Sequence, residues 1–364
     1  MMINNKITTS IFFSVFIAVL IFSCKQENKQ PKSIIQSESH QDIKTPDGMI
    51  WVKRKTFTQG AKDGDKYAMP REKPSHTVTV DGFFIDITEV TNKKFRTFID
   101  AIDYVTVAER PIDWEEMKKD LPEGTPKPHD SLLQPGSLIF NKNVNQVATM
   151  GDYSQWWIWK TGANWKHPLG PGSSIDAKDN YPVVHIAYED ALAYCKWANR
   201  RLPTEAEWEA AAQGTAINNI YTWGNSIEVL NENANTWQGV FPIKNEPIDG
   251  FEFIAPVKSY PPNTIGLYDM MGNVWELTSD WFNVNYYQEL DTTTDVVNPK
   301  GADKGYSPSN PYQEEHIIKG GSFLCHASYC ASFRISAKMG TSPDSASDHV
   351  GFRTVATPIM LRNK

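Results

Sequence analysis

Two of the chain's four cysteines stand close together in Lys319-Gly320-Gly321-Ser322-Phe323-Leu324-Cys325-His326-Ala327-Ser328-Tyr329-Cys330. In an exported chain, a C-x4-C pair can be a structural disulfide, a redox-active couple or a thiolate metal site. Two thiolates without further ligands suit a soft ion, and Cu(I) is the soft ion that accepts low coordination. Zn(II) wants four ligands, and no second Cys/His pair has finger spacing. His326, adjacent to Cys325, reads as a surface residue or a supporting neighbour of the pair.

A second group is rich in oxygen. Asn235 and Asp249 flank Thr236-Trp237-Gln238-Gly239, and Asp269, Asn273 and Glu276 surround Gly272. Carboxylates and amides interspersed with glycine suit Ca²⁺, which takes six to eight oxygens including backbone carbonyls. The plain alternative is solvated turn residues. A third group is aromatic: Trp156-Trp157-Ile158-Trp159, Trp165 and Trp275. Such clusters are core, or they line a groove for an extended peptide. There is no G-x-S-x-G elbow, no H-E-x-x-H and no phosphate loop, and these chemistries drop out. His76, His185 and His349 are scattered single residues with structural readings.

The elements that must hold these groups are few. Met49–Val52, Thr77–Val80 and Phe83–Ile85 read as strands around a polar loop, Gly60 to Lys73. Val90, Phe95, Phe98, Ile99 and Ile102 give an approximately helical stripe. Residues 110–152, rich in Pro, Gly and charge, read as a long surface excursion. Ala191, Tyr194, Cys195 and Ala198 place Cys195 on a buried helix face. Thr204 and Glu207 form a capping box for the next helix, with Gly214 as its stop. The remainder, short aromatic segments between Gly, Pro and Asn, predicts an α+β domain dominated by loops.

Length and composition set the frame. The chain has 364 residues, 40% hydrophobic and 12% aromatic, which is ample for a packed core. Its net charge of −7, without a long basic run, argues against nucleic acid as a partner. Lys6 precedes an apolar run from Ile11 to Phe22, shorter than the ~20 residues of a spanning helix. It fits the core of a secretory signal, and Ile21-Phe22-Ser23-Cys24 resembles a bacterial lipobox with Cys24 as the lipidated residue. The expected organisation is a lipoprotein signal over 1–24, a polar tether over 25–46 and one domain over 47–364. The expected location is outside the cytoplasm, tied to a bacterial membrane by its lipid.

Taken together, these segments resemble the formylglycine-generating enzymes, or sulfatase-modifying factors. The resemblance runs from about Gly48 to Thr354. It rests on Glu89-Val90-Thr91-Asn92, Gly162-Ala163-Asn164-Trp165-Lys166-His167-Pro168, and Arg201-Leu202-Pro203-Thr204-Glu205-Ala206-Glu207-Trp208-Glu209. It continues through Tyr221-Thr222-Trp223-Gly224-Asn225, Gly266 to Glu276 and Gly351-Phe352-Arg353. Several of these mark a superfamily that also holds non-haem iron sulfoxide synthases and motility lipoproteins. The stretch Gly320 to Cys330, followed by Thr341-Ser342-Pro343-Asp344-Ser345, is what resembles the oxidase itself.

The resemblance implies a C-type-lectin-like α+β fold with little regular structure and bound Ca²⁺. It implies aerobic oxidation, with copper(I) and O₂, of the cysteine in an unfolded sulfatase's C-x-P-x-R segment to Cα-formylglycine. By position, Cys325 and Cys330 would hold copper, Ser322 would sit beside the oxygen site, and Trp275 would neighbour it. Asn235 and Asp249, with the carbonyls of Thr236 and Phe251, match one calcium site. Asp269 and Glu276, with the carbonyls of Gly272 and Val274, match another, Asp269 standing where the family commonly has Asn. Asp348-His349 stands where many members have a small polar residue and Asn, which implies altered peptide recognition. Two rivals remain: a non-catalytic structural or binding lipoprotein of the same superfamily, and a non-haem iron oxidase with a His-rich site.

Overall fold

The computed structural model describes residues 40–363. Cys24, the signal segment and most of the tether lie outside the described residues. The chain opens with β1 (Met49–Val52), β2 (Lys55–Gln59), β3 (His76–Val80), β4 (Phe83–Asp86) and helix α1 (Asn92–Ile102). A one-turn helix α2 (Trp114–Met117) precedes the hairpin β5 (Gly136–Phe140) and β6 (Trp157–Thr161). Then come α3 (Tyr188–Trp197), α4 (Glu205–Gln213), β7 (Gly239–Val240), β8 (Lys244–Asn245) and β9 (Trp275–Trp281). The last strands are β10 (Val296–Val297), β11 (His316–Lys319), β12 (Lys338–Thr341), β13 (Val350–Gly351) and β14 (Val355–Ala356).

The largest sheet has the order β12-β11-β9-β13 and carries the C-terminal motifs. The other strands form two three-stranded sheets, β1-β4-β14 and β10-β3-β2, and the two-stranded ribbons β5-β6 and β7-β8. Helix α4 packs against β2, β3, β9 and β11. Its Thr204 hydroxyl accepts from the Glu207 amide at 3.1 Å, while Glu207 accepts from the Thr204 amide at 2.9 Å. All nine of its residues are buried, three of them glutamates. That is tolerable because Lys319 meets Glu209 at 2.8 Å and Lys338 meets Glu205 at 3.1 Å, so these carboxylates are not left unpaired.

Three sequence expectations need correction. Residues 110–152 are not only a surface excursion. Their Gly136–Phe140 stretch is strand β5, which pairs with β6 and with the segment 346–348. Strand β2 was not anticipated, nor was the central strand β9, which buries Glu276, Thr278 and Asp280. Finally, the end of the expected tether is packed: His40 stacks on Trp51 with ring centroids 3.9 Å apart, and Ile43 lies against the cluster of Met49, Phe84 and Ala356. Helix α3 buries Ala191, Tyr194 and Cys195 as its spacing predicts, and burial pushes the Cys195 thiol far up, so it is an inert core group.

Candidate functional site

Strand β11 ends at Lys319, and the chain then turns through Gly320 and Gly321, whose φ values are 87° and 77°. A Cβ at Gly320 would lie 2.8 Å from the Met270 carbonyl, and one at Gly321 would press on Ser332 and Phe333. Only glycine suits both the left-handed backbone and the close approach. The turn delivers Ser322 and Cys325 to a buried position. The Ser322 amide points at the Cys325 sulfur, 3.4 Å away, and the Cys325 amide returns to the Ser322 carbonyl at 2.9 Å.

The next turn brings Cys330 back. Its amide and that of Tyr329 donate to the His326 carbonyl, each at 3.0 Å. The sulfurs of Cys325 and Cys330 lie side by side, with Cα atoms 5.6 Å apart. In the reduced state they make two adjacent thiols. The His326 ring is engaged elsewhere, with Nδ1 2.7 Å from the Ser328 hydroxyl, which fits a supporting neighbour rather than a ligand.

The pair opens on a cavity of about 210 Å³. Ser322 and Trp275 line it, joined by Leu138 of β5, Trp157 of β6, Tyr329 and His349. No Asp, Glu, Lys or Arg lines it. His349 is its one conventional acid–base group. Burial holds that imidazole down at about 3, its ring lies 4.7 Å from Trp157, and Nδ1 is 2.9 Å from the Ser347 hydroxyl. A sulfur pair in an apolar cavity with no base in working range suits redox chemistry at sulfur better than hydrolysis. Among the described residues, no group of three or more His, Cys, Asp and Glu stands together as a metal site. That leaves the iron-oxidase reading without a ligand set there. Trp156 and Trp165 are core, whereas Trp157 and Trp275 belong to the cavity, so the aromatic cluster divides between the two readings.

The oxygen-rich residues also meet. The Thr236 amide donates to Asp249 at 2.9 Å and the Phe251 amide at 3.2 Å, which gathers Asn235, Thr236, Asp249 and Phe251 in one place. Asn235 donates its amide group to the Phe253 carbonyl and to Asn273, and its Oδ1 is buried without a partner. An orphaned buried oxygen beside a carboxylate fits a hard cation.

The second set is assembled differently. Asp269 has a buried, unpartnered Oδ1, and burial raises its carboxyl to about 6. Both oxygens of Glu276, however, accept from Arg353 at 2.6 Å, and Trp208 Nε1 donates to the same carboxylate at 2.7 Å. Glu276 is therefore the counter-ion of Arg353, with Oε1, which takes a single hydrogen bond, keeping a further lone pair. Glu89 stands nearby. It takes a hydrogen bond from Asn273 at 3.0 Å, its other oxygen is unpartnered, and burial holds its carboxyl well above the usual range.

Sequence reasoning passed over Leu138 and gave Tyr329 no role, while it singled out Asp348 with His349. The alternation in Ser137-Leu138-Ile139-Phe140 was the available strand signal, masked by the Pro and Gly around it. Asp348 accepts from the Phe140 amide at 2.8 Å, its own amide donates to the Leu138 carbonyl at 3.1 Å, and burial raises it to about 7.

Residues 35–358 match the family model described as a sulfatase-modifying factor enzyme 1-like domain. The chain is 39% identical to the formylglycine-generating enzyme of Mus musculus over 85% of this chain and 74% of that protein. It is 38% identical to the inactive C-alpha-formylglycine-generating enzyme 2 of Bos taurus over 78% of this chain and 79% of that one. Overall identity alone thus does not separate active from inactive relatives. Among solved structures, PvdO from Pseudomonas aeruginosa superposes with a TM-score of 0.55 at 20% identity, covering 84% of this chain and 93% of that one. That likeness concerns the fold.

Proposed function

The chain belongs to the formylglycine-generating enzyme family, and we propose that it converts the cysteine of a C-x-P-x-R segment in unfolded sulfatases to Cα-formylglycine. The observation that carries this reading is the pair Cys325 and Cys330, buried together at an apolar cavity that Ser322 and Trp275 also line. A member that only bound or braced other proteins would have no use for two thiols in that position.

Reduced, Cys325 and Cys330 would hold copper(I) between two thiolates, the low coordination that this ion accepts. Copper supplies the one-electron chemistry that lets O₂ act on a carbon–hydrogen bond. The balance is definite. The substrate cysteine gives up two electrons and an external thiol reductant gives two more; sulfur leaves as hydrogen sulfide, and the aldehyde oxygen comes from water. The protein's own contribution is positional. A cavity of about 210 Å³ admits a side chain on extended backbone rather than a folded segment, which is why the client must be unfolded. The Ser322 hydroxyl accepts from the Leu324 amide at 3.3 Å, so its own proton remains to donate into the cavity. Trp157, Trp275 and Tyr329 exclude water from the reacting carbon.

The same reading assigns Ca²⁺ a structural place at Asn235, Thr236, Asp249 and Phe251. It also makes the chain an exported lipoprotein anchored through Cys24, which meets its sulfatase clients after translocation. The test is co-production with a sulfatase bearing C-x-P-x-R in a host without such an enzyme. The sulfatase's peptide should carry the aldehyde with the wild-type chain and retain cysteine with Cys325→Ser or Cys330→Ser. Unmodified cysteine with the wild type would overturn the reading.

A further inference from the structure

Three consecutive residues of β12, Met339, Gly340 and Thr341, line the cysteine cavity. Side chains of a strand alternate between its faces, so three in a row reach one cavity only along the strand's edge. β12 is the outer strand of its sheet, paired among the described residues with β11 alone, and all three residues are partly exposed. The pairing fixes which backbone groups face outward. Gly340 lies opposite Ile317, and Met339 opposite Ile318. The Ile317 carbonyl points away from β12, accepting from the Thr278 hydroxyl of β9 at 3.0 Å. The Lys338 carbonyl points outward and accepts from Nε of Arg71 at 2.8 Å. Backbone groups alternate along an antiparallel ladder, so Gly340 also turns its amide and carbonyl outward. Among the described residues, no loop or side chain takes either of them.

The faces are set in the same way. Met339 is opposite Ile318, Ile318 is opposite Leu277, and Val350 is opposite Trp275, two positions before Leu277. These residues therefore share one face of the sheet, and Met339, Ile318, Trp275 and Val350 all line the cavity. Gly340 turns the other way, since a Cβ there would meet Phe282 and Glu315. A chain paired along the outer edge of β12 would lay every second side chain on the cavity's face.

We propose that the client's C-x-P-x-R segment adds to β12 as a fifth, antiparallel strand. The residue between its cysteine and proline exchanges both backbone hydrogen bonds with Gly340. The inference rests on the formylglycine reading, and it says how the site holds a chain whose intervening residues are unspecified. The motif has a strand's period: Cys, Pro and Arg share one face, and the two variable residues share the other. Proline sets the edge as well. It has no N–H to give, so it fits an added strand only with its nitrogen turned away from the ladder. Its neighbours, the variable residues, must then face β12. With the first of them opposite Gly340, the client's cysteine and proline fall on the face of Met339 and Thr341, where the sulfur pair's cavity lies. The second variable residue meets Lys338, whose carbonyl Arg71 already occupies, so the first carries the pairing. Main-chain bonds supply affinity whatever side chain stands there.

The experiment alters the peptide and leaves the chain's fold untouched. Three C-x-P-x-R peptides are compared on the copper-loaded chain: one all-amide, one with an ester replacing the amide N–H of the first variable residue, and one with the ester at the second. Loss of one backbone hydrogen bond predicts a KM roughly two- to tenfold higher for the first ester, with kcat little different. The second ester should match the all-amide peptide. Exchanging alanine for serine at the first variable residue, which changes the side chain alone, should leave KM unchanged. Equal KM for the three peptides, or a side-chain exchange that outweighs the ester, would overturn the proposal. Fluorescence anisotropy with serine in place of the peptide's cysteine reads binding without turnover. Binding weakened by the first ester alone, without conversion of the cysteine peptide, would uphold the added strand and overturn the oxidase reading. Conversion indifferent to the ester's position would overturn the strand alone, and neither binding nor conversion would overturn both.

Discussion

Replacing Arg353 by Met should cost more stability than any surface change in the chain. Arg353 is fully buried and donates Nε and Nη2 to Glu276, both at 2.6 Å. It also donates to the carbonyls of Tyr268 at 2.9 Å and Asp86 at 3.2 Å, tying β9 to the end of β4 and to the loop before Asp269. Methionine fills similar volume but leaves Glu276, 1% exposed, with Trp208 Nε1 as its remaining side-chain donor. Breaking a buried ion pair by removing one partner costs about 3–5 kcal/mol. That is a large part of a typical 5–15 kcal/mol total. Urea unfolding followed by tryptophan fluorescence measures it. Adding Glu276→Gln should restore much of the loss, because the cost lies in the unpaired charge. Should Arg353→Met fail to fold, Arg353→Lys, which keeps the charge but not the fork, should show an intermediate loss. A loss below about 1 kcal/mol, or a double variant as unstable as the sum of the singles, would refute the assignment of Glu276 as a counter-ion.

Other consequences are as direct. Burial raises Asp348 to about 7, so below that pH the folded chain holds a proton that the unfolded chain has released, and stability contributed at this site falls as pH rises from about 5 to about 7 and levels off above it. Asp348→Asn should therefore gain in melting temperature relative to wild type as pH rises. His349 at about 3 and His185 at about 4 are neutral across this window, so parallel profiles would contradict the site's burial. Calcium in hundredfold excess over its dissociation constant should stabilise the chain by about 2.7 kcal/mol, a chelator should reverse the gain, and Asp249→Asn should shrink it. A calcium-independent melting temperature would sink that site. Thr204→Ala should cost about 1 kcal/mol in chemical unfolding by removing the cap of α4, and an unchanged midpoint would mean the cap contributes nothing.

What the sequence disclosed follows the range of the interactions involved. The cap of α4, the face of α3 and the cysteine pair are set by spacings of three to five residues, and each was legible. Strand β9 was not, because its buried Glu276 and Asp280 read as solvent-facing until Arg353 and the amide of Glu205 are seen to meet them. Strand β5 was hidden in a Pro- and Gly-rich stretch, since its partners are β6 and residues 346–348, some twenty and two hundred positions away. The ion pair of Glu276 was not legible for the same reason: Arg353, which donates to both its oxygens, is 77 residues distant.

The central claim is tested most directly by the mass of one peptide. Purified chain, reduced, loaded with copper(I) and given a C-x-P-x-R peptide with a thiol reductant under air, should replace the peptide's thiol with an aldehyde. Cys325→Ser and Cys330→Ser chains treated alike should leave the peptide unchanged. A wild-type chain that leaves the thiol intact, or serine variants that convert it as fully, would contradict the account.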